Sequence, residues 1–326
     1  MKMTKAPGKH DRKTISLPGL MKMFPDNDTA EQWFINNRWK NGVECPCCKS
    51  KNIHTKPKKE NKPTAYRCRD CRKDFSVKTD TVMHNSPISF QNWAIGIYLL
   101  TTGLKSVSSL KLKNDLGITQ KSAWFMAHRI RETYQDSLAG LEVFVGPIEA
   151  DETYMGGKEK NKHNKDKAKK GRGTVGKTAI VGVKDRKTNK IKARVVIDTS
   201  KLTLQGFINE NVDEDAEKYT DESRSYLGLA HHSAVNHSAK EFVDGMVHTN
   251  GIESFWSMLK RSHKGTFHKM FPKHLQRYVC EFTGRHNVRP LDTLEIMNGM
   301  VEGMEKRRLT YKELTTDNGL DSGARN

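Results

Sequence analysis

No stretch of this sequence approaches the roughly 18 consecutive apolar residues of a membrane span. Its first residues, MKMTKAPGKHDRK, are basic and lack the apolar segment of a secretory leader. The expected setting is therefore cytoplasmic, at the nucleoid, with no membrane partner. Apolar residues are scarce throughout. With 35% hydrophobic residues and a mean hydropathy of −0.76, the chain supplies one sizeable core with smaller modules beside it. Acid is also in short supply: 38 Asp and Glu face 57 Lys and Arg, a net charge of +19 spread along the whole chain. That excess suits a polyanionic partner, nucleic acid before any other, although ribosome-associated and nonspecifically basic proteins share it. No internal repeat is visible, which sets repeat architectures aside.

Cysteine is sparse and concentrated. Cys45-Pro-Cys-Cys48 and Cys68-Arg-Asp-Cys71 form two C-x2-C knuckles separated by residues 49 to 67. This spacing presents four thiolates tetrahedrally to zinc, and in a reducing cytosol disulfides are the weaker alternative. Cys45, Cys48, Cys68 and Cys71 are the expected structural zinc ligands. Cys47 competes with its neighbours, but the x2 geometry favours Cys45 with Cys48, and Cys280 reads as a buried helix residue. The spacer is a lysine-rich hairpin tip, and Arg67, Arg69, Arg72 and Lys73 crowd the second knuckle. Such a ribbon commonly contacts DNA or docks.

Around the ribbon the period is helical. Asp28 to Trp39 reads as a short amphipathic helix with Trp33 and Phe34 inward. Between Ser89 and Tyr134 three helices follow one another; Leu116-Gly117 closes the second, and Thr119 is the N-cap expected for the third. Gln120, Lys121, His128 and Arg131 are expected to face outward from that third helix. A helix-turn-helix with a DNA-reading helix and a three-helix bundle with a solvated basic face fit the pattern equally. The basic ribbon just before it raises the first reading.

From Gly146 the period shortens to two. GPIEADETYMGG, KTAIVGVKDR and KIKARVVIDTS read as strands, the last two a hairpin around residues 187 to 190. A helix (LTLQGFINENV), a strand (AEKYTDE), a short helix (SRSYLGLA), a brief strand (HSAVNH) and a helix at Asn250 follow. That order is the order of an RNase H-like α/β core, a mixed five-stranded sheet with flanking helices. It puts Asp151 on the first strand, Asp221 at the end of the fourth and Glu253 on the helix after the fifth. By strand alternation Glu149 points with Asp151, so it could contribute to the site, whereas Glu152 should face away. Further helices from Pro272 and after Arg289 are expected to cover the sheet and add Arg277, Arg285 and Arg289 to a basic surface.

The segment HTNGIESFWSMLKRSHK carries two readings. Ile252, Phe255, Trp256 and Leu259 form an apolar stripe, with Glu253, Ser257, Lys260 and Lys264 on the other face. Glu253 with Lys260 two turns on suits a divalent metal and a nucleic-acid phosphate. Asn250 followed by Glu253 also resembles a capping box. Asp151, Asp221 and Glu253 together could hold two magnesium (or manganese) ions roughly 3.5 to 4 Å apart for phosphoryl displacement. Asp213 or Asp215 would replace Asp221 if the fourth strand were misplaced.

Residues 158 to 173 form a cationic run whose Lys167, Lys169, Lys170 and Arg172 are expected DNA contacts; a merely solubilising loop is the alternative. Gly171 to Thr178 matches the P-loop pattern, but it follows a lysine-rich loop and opens a strand, so it is not one. His231, His232, His237 and His248 contain no helical HExxH pair and read as satisfied polar or phosphate-side residues. Tyr154 and Tyr226 read as structural.

The ordered motifs CPCC and CRDC, IEADETYMGGKEKNKH, YTDESRSYLGL, VNHS, HTNGIESFWSMLKRSHKGTFHKM and the closing RHNVRPLDTLEIMNGMVEGMEKRRLTYKEL resemble the zinc-ribbon-bearing DDE transposases of bacterial insertion sequences, the ISXO-like group, from about Pro18 to Leu314. The resemblance implies magnesium-dependent cleavage at terminal inverted repeats and strand transfer into target DNA by a DNA-bound homo-oligomer. It carries the two aspartates onto Asp151 and Asp221 and the lysine of the last helix onto Lys260. Members of the group can present asparagine in third place; Glu253 is favoured here, with Asn250 auxiliary. The expected divisions are an N-terminal lead and helix (1–40), the ribbon (41–80), the helix-turn-helix-like region (81–140), the core (141–270), C-terminal helices (271–314) and a disordered tail (315–326). Two rivals remain: an inactive, transposase-derived DNA-binding protein, and a structure-specific nuclease on the same fold.

Overall fold

In a computed structural model, which describes residues 13–60, 62–134, 142–157, 174, 176–235 and 248–320, the chain falls into two units. One comprises Met1–Asp136 with Val288–Thr316, the other Ser137–Asn287 with Asp317–Asn326.

The first unit begins with helices α1 (Leu17–Met23) and α2 (Asn27–Arg38). A small antiparallel sheet follows: β1 (Ile53–Thr55), β2 (Tyr66–Cys68) and β3 (Asp74–Phe75), in that spatial order. Helices α3 (Phe90–Thr102), α4 (Ser109–Leu116) and α5 (Gln120–Glu132) come next. The helix starts are written locally. Ser16, Asp26, Ser89, Ser108 and Thr119 each accept a hydrogen bond from the backbone amide three residues on, satisfying donors that the helix itself leaves open. Gly117 ends α4 in the left-handed region at φ 62°, where a Cβ would be strained. The small sheet is too thin to bury a core of its own. Trp39, Tyr66 and Phe75 compensate by packing ring on ring, with Tyr66 and Phe75 stacked at 5.5 Å.

The second unit is a mixed five-stranded sheet with helices on both faces. Strands β4 (Ile148–Met155), β5 (Thr178–Asp185) and β6 (Ile191–Val196) are antiparallel. The β5–β6 hairpin turns through Asn189, at φ 57°. Helix α6 (Lys201–Asn211) then carries the chain to β7 (Lys218–Asp221), which lies parallel to β4 on its free side, and β8 (His232–Val235) lies parallel to β7. The spatial order is β6-β5-β4-β7-β8. The short helix expected over residues 223 to 230 is a single 3-10 turn, Arg224–Tyr226. Helix α7 (Asn250–Ser262) runs into a π-helical turn, His263–Phe267, and α8 (Pro272–Asn287) follows.

Strand alternation divides the core in two. Ile148, Ala150, Val181 and Val183 meet Leu204, Phe207 and Ile208 of α6. Met155, Ile180, Ile191 and Ala193 meet the Ile252, Phe255, Trp256 and Leu259 stripe of α7 together with Leu275, Val279 and Phe282 of α8.

The expected C-terminal piece divides between the units. Helix α8 packs on β6, whereas α9 (Thr293–Glu302) packs on α2 and α3 of the first unit; α10 (Tyr311–Thr315) follows it. Nor is Arg285 a surface cation: its side chain is 11% exposed and reaches Glu281 at 3.4 Å. Among the described residues no helix is long and apolar enough to cross a membrane.

Candidate active site and metal centre

β4 is the middle strand of the sheet. In the parallel β4–β7 pair, Ile148 faces Lys218 and Glu149 faces Tyr219. Two residues further along, the same register carries Asp151 beside Asp221 on strands about 4.8 Å apart. Helix α7 lies over that face. Gly182, the antiparallel partner of Asp151, makes room for it, because a Cβ there would stand 2.8 Å from the Trp256 ring. The first turn of α7, with Glu253, is thereby held near the two aspartates.

The proximity has an electrostatic consequence. The Asp151 carboxyl is pushed up to about 8, first by burial and then by the negative charges of Glu152, Asp221 and Glu253, against the opposing hydrogen bond from the Glu152 amide. That amide stands 2.9 Å from Oδ1 of Asp151. Glu152 lies on the α6 side of the sheet, as alternation requires; burial raises its carboxyl, while the Tyr226 hydroxyl, 2.5 Å away, donates to it and opposes the rise. Asp221 accepts from the Ser223 amide at 3.1 Å. Glu253 accepts from the Thr249 hydroxyl at 2.8 Å.

The ribbon presents a second, separate centre. Ligand atoms of Cys45, Cys48, Cys68 and Cys71 all lie within 4.8 Å of one another, with Sγ···Sγ of 3.6 Å for Cys45–Cys71 and for Cys48–Cys68. A zinc tetrahedron with bonds near 2.3 Å has edges of about 3.8 Å, so these thiols fit it. Each knuckle closes with a left-handed residue just after it, Lys49 at φ 60° and Arg72 at φ 59°. The Cys71 amide directed at the Cys68 sulfur draws that thiol down to about 7, while at Cys71 the Lys73 amide is outweighed by burial and the neighbouring thiols, which push that thiol up. Cys47 stands outside the set and is exposed, its sulfur 2.9 Å from Lys73 Nζ. Among the described residues, the cysteines are the group of three or more such ligands drawn this close together; the core carboxylates are spaced more widely.

Residues 143–287 match the ISXO2-like transposase domain, and residues 25–74 match the transposase zinc-ribbon domain. Both parts of a zinc-ribbon-bearing ISXO-like DDE transposase, the ribbon and the transposase domain, are thus matched in this chain. A relative described as an uncharacterized protein in transposable element ISH50 of Halobacterium salinarum is 26% identical over 255 residues, 74% of this chain and 84% of that one.

Within the transposase domain the first turn of α7 differs from the capping-box expectation. Thr249 holds the N-cap position, and Asn250 is the exposed first residue of the helix. Asn250 is therefore free of the cap, and it shares a face with Glu253. Lys260 and Lys264 are exposed, Lys264 in the π-helical turn beyond α7. Glu149, which points with Asp151, is not open to a metal: it is 2% exposed and already bonded to Arg186 and to the Ile252 amide. Asp213 and Asp215 precede β7 at the end of the strand opposite Asp221, and Asp215 is exposed. His232 bonds Thr220 and His248 bonds Arg186, while His231 is exposed near Asp215. Lys167, Lys169, Lys170, Arg172 and His237 lie outside the described residues.

The expected DNA-reading face of α5 is only half outward. Gln120 and Lys121 are exposed, whereas His128 and Arg131 are 0% and 1% exposed. A segment far along the chain meets this half of the helix. Arg129 Nε donates to the Leu309 carbonyl at 3.1 Å, and Arg307 donates to the Glu132 carbonyl at 3.0 Å, so residues 304 to 311 lie over the C-terminal half of α5. Nothing in the helical period of α5 announces that cover. The hairpin tip of the ribbon is similarly more occupied than its charge suggests. Lys58 pairs with Asp28 and Glu31, and Lys56 and Arg67 pair with Asp74; Arg69 and Arg72 are exposed.

Proposed function

We propose that this protein is an insertion-sequence transposase whose RNase H-like core cuts DNA at the terminal inverted repeats of its element and joins the cut ends to target DNA. One observation carries the reading. Inside the region matching the transposase domain, carboxylates from β4, β7 and α7 converge closely enough for Asp221 and Glu253 to raise the Asp151 carboxyl. The strand order, three antiparallel strands joined through β4 to two parallel ones, supports an RNase H-like core.

The acids fit magnesium or manganese, since hard carboxylate oxygens are their donors and crowded buried negative charge is what a divalent cation neutralises. Two such ions bound there would activate a water or a 3′-hydroxyl and stabilise the leaving oxygen of an in-line displacement. Asp151, Asp221 and Glu253 would hold them, with Asn250 auxiliary. The Ser223 amide orients the Asp221 carboxylate, and the Thr249 hydroxyl orients Glu253. Lys260, two turns beyond Glu253 on the exposed face, takes a phosphate of the DNA backbone. Gln120, Lys121 and the loop cations Lys167, Lys169, Lys170 and Arg172 assist in binding the ends, and the protein acts as a DNA-bound homo-oligomer.

The test uses purified zinc-loaded protein, labelled DNA carrying the ends of its own element, and magnesium. Wild type is expected to nick and join the ends. Asp151→Ala, Asp221→Ala and Glu253→Ala should bind them normally and lose both steps by about a thousandfold or more, the scale of losing charge stabilisation at a reacting centre. An inactive Asn250→Ala beside an active Glu253→Ala would move the third ligand to Asn250. A wild type that binds the ends but never cuts, whichever divalent ion is supplied, would replace the reading with a DNA-binding protein.

A further inference from the structure

Beneath the proposed site lies a buried group that the chemistry above does not use. Glu149 precedes Asp151 by two residues on the same face of β4, and both its oxygens are engaged. Oε1 accepts from Arg186 Nε at 2.8 Å. Oε2 accepts from the Ile252 amide, in the first turn of α7, at 2.8 Å. Arg186 continues the chain of contacts: its Nη2 donates to the His248 carbonyl at 2.5 Å and lies 2.8 Å from His248 Nδ1. Its guanidinium also covers the Tyr219 ring at 4.4 Å. The end of β5 and the entry to α7 thus meet on one carboxylate of β4, with Tyr219 of β7 against the arginine that binds it.

The geometry points to Glu149 as a positioning residue, which fixes the start of α7 against β4 and so sets where Asn250 and Glu253 stand relative to Asp151. This rests on the transposase reading and deepens it. Three facts support it. First, the Ile252 amide is one of the open donors at a helix start, and no side chain of α7 itself caps it. Glu149, a negative charge at the positive end of the helix dipole, holds it instead. Second, Gly251 is the residue that permits the approach. A Cβ there would stand 2.7 Å from Glu149 Oε2 and 2.4 Å from Lys184 Nζ. Third, Glu149 and Asp151 belong to one rigid strand, so any shift of the carboxylate against the helix changes the spacing of the acids directly. A supporting group that orients metal ligands carries roughly 10- to 100-fold of metal affinity when removed.

The experiment measures Mn2+ binding by electron paramagnetic resonance on the zinc-loaded full chain. It is paired with hydrogen–deuterium exchange over residues 248 to 256 and with thermal melting. Glu149→Ala is expected to weaken Mn2+ binding about 10- to 100-fold and to speed exchange at the start of α7, while binding of end DNA without metal is kept. Glu149→Gln, which retains an acceptor for the Ile252 amide but loses the charge facing Arg186, should fall between it and wild type. Gly251→Ala keeps the glutamate but puts a methyl where its carboxylate meets the helix start, so it should reproduce the Mn2+ loss even if Glu149→Ala does not fold. Unchanged Mn2+ affinity in Gly251→Ala and in whichever Glu149 variant folds would overturn the inference, whatever their melting temperatures, and leave Glu149 as a stabilising ion pair only. A wild type that binds no Mn2+ beyond Asp151→Asn would count against the transposase reading itself. Exchange at residues 248 to 256 would then still decide whether Glu149 clamps the helix start.

Discussion

Asp151 is where sequence position and electrostatics diverge most. An aspartate on a strand ordinarily loses its proton near pH 4, but burial and the facing carboxylates hold the Asp151 proton up to about 8. The unfolded chain binds fewer protons than the folded one throughout that interval. Stability therefore declines as pH rises from about 4, and the loss is complete above about 8. Asparagine at 151 carries no such penalty. In magnesium-free buffer, Asp151→Asn is expected to melt several degrees above wild type at pH 8, with the gap closing towards pH 4. Magnesium should raise the melting temperature of wild type and not of the variant, because a ligand stabilises only the folded state that binds it. Equal melting temperatures across the pH range would show that the acids do not converge as described. The identity of Asp151 was legible from its place on the first strand of the core. Its proton affinity was not, since that depends on Glu152, Asp221 and Glu253 and on how deeply β4 is covered.

Among the elements, the zinc ribbon is the most locally encoded. Its strands span three, three and two residues, and sheets this small do not hold together alone. Zinc held by the four cysteines would supply the missing free energy, as in other small zinc modules. A chelator is expected to abolish the near-ultraviolet circular dichroism of the Trp39, Tyr66 and Phe75 cluster. Cys68→Ser should lose the bound zinc, while Cys47→Ser should keep its full zinc content by elemental analysis; zinc loss in Cys47→Ser would place that residue in the ligand set after all. Helix α5 shows the opposite case. Its span and its Thr119 cap follow from spacing and from one side-chain bond to the Ser122 amide. The burial of His128 and Arg131 is tertiary, as is the contact of Arg129 and Glu132 with Leu309 and Arg307, and the pattern of α5 contains neither. Polar residues on a helix read as solvent-facing until another segment covers them.

At the level of the whole molecule, a charge of +19 makes salt the informative variable. Each phosphate contact contributes about 0.9 to the slope of log affinity against log salt on duplex DNA. Replacing Lys167, Lys169, Lys170 and Arg172 together by alanine is expected to reduce that slope by about 3 to 4 without altering which ends are bound. An unchanged slope would make the run a solubilising loop. Part of the charge is already spent inside the protein. Lys56, Lys58, Arg67 and Arg285 are paired with carboxylates, so net charge overstates the cations open to DNA.

The ribbon ligands, the order of strands and helices in the core, and the placement of Asp151, Asp221 and Glu253 on two strands and a helix of it were all determined by the sequence alone. These are local properties: a C-x2-C knuckle closes within a few residues, and periods of two and 3.6 are written in neighbouring side chains. The tertiary structure alone decided what each polar residue meets. It made Thr249, not Asn250, the N-cap residue of α7, bonded Glu149 to Arg186 and the Ile252 amide, and sent α9 to α2 and α3. Contacts of this kind depend on segments distant in sequence, and their free energy comes from excluding water between surfaces that neither segment specifies by itself.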